Sequence, residues 1–209
     1  MKRYFLILIL SLPMAAFAAD KYTEQMTRSI NAIYNAQTPA EFQEAINTFE
    51  RIGGAEKTKW EPFYYASFGY VLLATAAEPS KKDALLDQAK AALDKAAVIR
   101  PDDSEILALE GFITMIRLTV DPATRGQQYS MMAMQSFGRA IALNPNNPRA
   151  LALMAQMQLG TAQFFKQEPV EACATARKAL DLFATATPAD QLAPAWGKSM
   201  TEEIVANCK

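Results

Sequence analysis

The feature that most restricts how this chain can fold is a recurrence at a spacing of 44 residues. The segment K-A-A-L-D-K-A-A-V-I-R-P-D-D at 90–103 returns as M-Q-S-F-G-R-A-I-A-L-N-P-N-N at 134–147. Ala89, Leu93, Ala96 and Pro101 thus reappear as Ala133, Phe137, Ala140 and Pro145. The preceding segments keep the same register: Phe63, Ser67 and Tyr70 correspond to Leu107, Gly111 and Thr114, and then to Leu151, Ala155 and Gln158. The third copy slips by one residue and continues through Ala176, Leu180, Phe183 and Pro188. Upstream, Ala45 and Phe49 mark a degenerate first unit. The intervening sequence is rich in Ala, Leu, Met, Gln, Glu and Lys, with helical rather than strand periodicity. Self-similarity at this length means a supersecondary unit that buries its apolar face by stacking on copies of itself.

The order small residue, aromatic or Leu, Ala, then Pro resembles the second helix of a tetratricopeptide repeat, and A-I-A-L-N-P-N-N-P-R-A is similar to the end of one. Small side chains allow two helices to approach closely, and proline stops the helix before the next unit. The resemblance covers 60–188 and has departures: the units are longer than is usual in the family, and its leading tryptophan and tyrosine are mostly missing. Among members of that kind the chain is most similar to exported helical-repeat proteins of Gram-negative bacteria. The resemblance implies an all-α, antiparallel helix-pair array with a C-terminal capping helix. Helices are expected near 20–36, 40–52, 60–77, 83–99, 103–119, 126–143, 148–165, 169–185 and 190–206, with Gly53-Gly54 through Lys59 as the loosest linker. The chain then divides into a leader at 1–18, a degenerate pair at 19–59, three pairs at 60–188 and a cap at 189–209.

The leader rests on Lys2 and Arg3, the apolar run Tyr4–Leu12, and the small-x-small pattern Ala16-Phe17-Ala18. Its apolar run is shorter than the roughly 20 residues a bilayer crossing takes, no later stretch is apolar and long enough to serve, and no cysteine follows it for lipidation. A cleaved, exported protein of the periplasm, or a secreted one, is expected. Cleavage takes the formal charge from −1 to −3, which gives no support for binding nucleic acid or an anionic membrane. The chain has no histidine, which removes the commonest general base and metal ligand, and no pair of acids stands out as a catalytic couple. An enzyme is not expected, and no cofactor is called for. Cys173 and Cys208 are an even count in an exported chain, as a disulfide requires; free thiols remain the rival reading, and a redox pair would normally be C-x-x-C.

Four features are candidates for function. V-D-P-A-T-R-G-Q-Q-Y-S at Val120–Ser130 contains an acidic-Pro step shared with Glu78-Pro79 and Glu168-Pro169, which marks it as structural. Arg125 is particular to this copy; it either pairs with Asp121 across one turn or meets an anionic group beside a helix N-terminus. Met131, Met132, Met134, Met154 and Met157 have spacings that suit soft Cu(I), or they fill gaps between long helices, and no metal site is assigned. W-G-K-S at Trp196–Ser199 lacks the glycine of a phosphate loop. The resemblance, finally, implies a concave face built by the first helices, on which Glu61, Tyr64, Phe68, Glu105, Phe112, Arg149 and Gln156 would meet a protein or peptide partner. That face is apolar enough either to be filled core or to receive an apolar segment. A scaffold for protein interaction is the first functional expectation, and a carrier of a small ligand or copper the alternative.

Overall fold

The computed structural model describes residues 14–185 and 190–208. The expected leader falls largely outside them, as does Pro188. The described residues form α1 (Met14–Asn35), α2 (Pro39–Ala55), α3 (Glu61–Ala76), α4 (Pro79–Ile99), α5 (Ser104–Leu118), α6 (Pro122–Leu143), α7 (Pro148–Phe164), α8 (Val170–Thr185) and α9 (Lys198–Ala206), with no strand among them. Each helix packs on its neighbour in the chain, and α3, α5 and α7 also touch in succession. The first helices of consecutive pairs therefore line one face, as in a tetratricopeptide-like array.

The repeat positions are the core. Phe49, Ala89, Ala96, Ala133, Phe137, Ala140 and Ala176 are wholly buried, with Leu93 and Ala45 nearly so. Close approach is enforced at Gly111, where an added Cβ would overlap the buried ring of Phe137 and lie 2.6 Å from its Cδ1. Ser67 stands at the same register one unit earlier, wholly buried, and its hydroxyl has no hydrogen-bond partner among the described residues. A hydroxyl desolvated without a partner costs free energy. Ser67→Ala is therefore expected to be neutral or to stabilise by up to about 1 kcal/mol, as read from urea unfolding.

Helix ends follow local chemistry. Thr38 and Glu41 form a reciprocal capping box on α2, and Asp103, Asp121 and Asn147 cap α5, α6 and α7 through their side chains. Buried Asn147 also donates to Ser104 Oγ at 2.8 Å, which in turn donates to the Ala140 carbonyl at 2.8 Å, so one cap ties two units together.

Three local expectations need correction. Pro79 and Pro122 are first-turn residues of α4 and α6, so the acidic-Pro steps are the helix starts themselves, and most of Val120–Ser130 is helix. Proline suits that position because its missing N–H would be unsatisfied there in any case. Gly53 and Gly54 lie inside α2; Gly53 is buried, and a Cβ there would come within 2.7 Å of the Phe63 ring. The C-terminal helix begins only at Lys198: residues 190–197, D-Q-L-A-P-A-W-G, are an irregular strap, because Pro194 and the left-handed Gly197 (φ 104°) interrupt it.

Candidate functional site

The concave face is where the strap goes. Leu192 and Pro194 are buried, and three phenols hold the strap. Tyr65 Oη donates to the Leu192 carbonyl at 2.9 Å, the Ala195 N–H donates to Tyr34 Oη at 3.1 Å, and Trp196 Nε1 donates to Tyr64 Oη at 3.0 Å. The Trp196 ring stacks on Phe68 with centroids 5.0 Å apart and on Phe112 at 5.9 Å. Tyr34 meets Tyr65 and Phe68 edge-on, and Tyr64 packs edge-on against both Trp60 and Tyr65. Burial pushes the phenols of Tyr34, Tyr64 and Tyr65 above their ordinary pKa, so all three stay protonated at physiological pH and remain neutral hydrogen-bonding groups.

Of the residues assigned to this face, Tyr64, Phe68 and Phe112 converge on Trp196. Glu105 and Arg149 do not reach outward. Arg149 Nε and Nη2 each donate to a Glu105 carboxylate oxygen at 2.6 Å, and the two side chains keep only 12% and 17% of their surface exposed. Charge reversal at either would therefore leave a buried ion unpaired. Glu61 is half-buried and accepts a hydrogen bond from Tyr22 at 3.2 Å, and Gln156 is half-buried on α7. The sequence reading missed Trp196, Tyr34 and Tyr65. The signal for Trp196 was its place between the helix breakers Pro194 and Gly197.

Arg125 does not pair with Asp121, whose carboxylate instead accepts from Thr124 N–H and Oγ1. Its guanidinium forms a two-toothed pair with Asp83 of α4, both contacts at 2.8 Å, and Arg117 adds a contact to the same carboxylate at 3.3 Å. Hydrogen bonding from Arg125 holds the Asp83 carboxyl below its ordinary pKa. The anion met by Arg125 is thus the protein's own, and the residue clamps α4 to α6.

The methionines are divided by burial. Met131 and Met132 are exposed, Met134 and Met154 pack against the main core, and Met157 is buried. Cys173 and Cys208 form a disulfide with their Cα atoms 5.7 Å apart, which fastens the end of α9 to α8. No described helix is long and apolar enough to cross a membrane.

The fold is that of a tetratricopeptide-like helical-repeat protein. A thermophilic TPR protein of Thermus thermophilus superposes with a TM-score of 0.52 at 15% identity, over 92% of this chain and 93% of that one. The HusA haemophore from Porphyromonas gingivalis superposes with a TM-score of 0.81 at 33% identity, over 90% of this chain and 92% of that one. The chain belongs to the family of that haemophore. No protein-family model matches it, nor does any curated protein.

Proposed function

We propose that this protein is an exported carrier of a planar tetrapyrrole, haem or its iron-free porphyrin. The observation that carries the reading is the aromatic lining of the concave face, where Tyr34, Tyr64, Phe68 and Phe112 form a flat apolar slot that stacks the Trp196 indole and is edged by neutral phenol hydroxyls. A macrocycle is recognised by such rings through offset stacking and exclusion of water, and the phenols supply polar contacts at its rim. Similarity to a haemophore along nine-tenths of the chain supports the same class of cargo. Export is supported by the leader-like residues 1–18 and by a disulfide of the kind that persists in oxidising compartments.

The chain has no imidazole to grip iron, and the phenols at this face are neutral and already hydrogen-bonded, so the reading places recognition on the ring system rather than the metal. Titration with haemin and with protoporphyrin IX, followed by the porphyrin absorbance band, is expected to give affinities within a few-fold of each other. Failure of both to bind at micromolar protein would remove the reading. Binding of haemin alone would replace ring recognition by an iron ligand.

A protein partner is the second reading, favoured by one observation: Phe164, Phe165 and Val170 are strongly exposed around the turn between α7 and α8. A carrier must hand its cargo to a recipient, and an exposed aromatic pair suits such a contact. Photocrosslinking from position 164 in the native envelope is expected to trap one protein. A cross-link pattern identical to that from exposed Thr75, far along the chain, would dismiss the patch.

A further inference from the structure

The strap is held in the manner of a guest. Its backbone is bound by side chains of other elements, through Tyr65 to Leu192 and Tyr34 to Ala195, while the Trp196 indole fills a flat slot against Phe68 and Phe112. Gln191 and Ala195 stay exposed. The C-terminal end of the strap is tied down: α9 follows it and returns to α8 through Cys173–Cys208. At the α9 end the chain turns at Gly197, whose φ of 104° is open to glycine and strained for other residues. A Cβ there would also press on Phe183 Cζ at 3.0 Å and Arg149 Cγ at 3.4 Å.

We propose that residues 190–197 are a tethered competitor: they occupy the tetrapyrrole slot in the ligand-free protein, and the ligand binds by taking the place of the Trp196 indole. This rests on the carrier reading above. The occupant and the ligand are both planar aromatics, and the slot that stacks one stacks the other. When the indole leaves, Tyr64 loses its donor and Tyr34 its contact to the strap backbone, which frees two neutral phenols for the ligand's rim. Covalent closure of the loop keeps the strap near the slot at high effective concentration, so it returns once the cargo has gone. Such a competitor lowers apparent affinity by the fraction of molecules in which the slot is open. It also prevents the empty carrier from presenting a naked aromatic face to water.

The test uses the full oxidised chain and protoporphyrin IX, with porphyrin absorbance as the readout for every protein. Trp196→Ala removes the competing ring and is expected to bind about tenfold more tightly than the wild type. Tyr65→Phe leaves the slot intact and deletes only the hydrogen bond to the Leu192 carbonyl; it is expected to bind about threefold more tightly. It also decides the question alone if Trp196→Ala does not fold. Wild-type binding with unchanged or weaker binding by the variants overturns the competitor and leaves the carrier reading standing. Absence of binding by all three proteins overturns both. Binding by the variants with none by the wild type supports both.

Discussion

Glu105→Ala is expected to lower stability by about 3 kcal/mol, because it leaves the Arg149 guanidinium mostly buried with no counter-charge. For a chain of this size that is a fall in melting temperature of roughly 10 °C. Arg149→Ala leaves the complementary carboxylate stranded and is expected to cost a similar amount. Removing both charges in Glu105→Leu/Arg149→Met is expected to recover most of the loss, since an apolar pair of similar volume suits a site of this burial. Thermal unfolding followed by circular dichroism measures all three. Single variants within about 1 kcal/mol of the wild type would show a pair worth no more than an ordinary surface bridge and would return both residues to the candidates for partner contact.

The second large effect is a reversal of sign at Gly111. In the wild type, Gly111→Ala drives a methyl into the buried Phe137 ring and is expected to cost about 2 kcal/mol. Phe137→Ala, which empties a wholly buried site, is expected to cost about 4 kcal/mol. In that background the clash is gone, and Gly111→Ala is expected to stabilise by about 1 kcal/mol through helix propensity alone. A double-mutant cycle in urea reads the coupling. Additive effects would mean that the two helices separate to admit the methyl.

Both sites bear on how far the sequence could be read. Gly111 and Phe137 were legible because a repeat forces the same packing at each copy, and the small residue and its large partner recur in register. The all-α pairing followed from that. Glu105 and Arg149 were both identified, yet their relation was missed even though they lie one repeat apart. Residues at one register in successive units face each other across the stack, so opposite charges there indicate a pair. Arg125 and Asp83 were hidden for a different reason: they lie on the second helices of adjacent units, 42 residues apart, so the local alternative of Asp121 came first. The strap was the largest miss. Nothing periodic places residues 190–197, because their positions are set mainly by Tyr34, Tyr64, Tyr65 and Phe68, more than a hundred residues away.

Those distant groups alter the kind of object the array is. A stack in which every unit touches only its neighbours is effectively one-dimensional, and such stacks can fray from an end or melt in sections. Here hydrogen bonds from the strap reach Tyr34 across 161 residues, Tyr64 across 132 and Tyr65 across 127. They join the last segment to the first and second pairs, converting an open row into a closed circuit. A row tied in this way is less open to unravelling from its last pair. Its melting should be a single event, and its closure, made from long-range contacts, should be among the slower steps of folding.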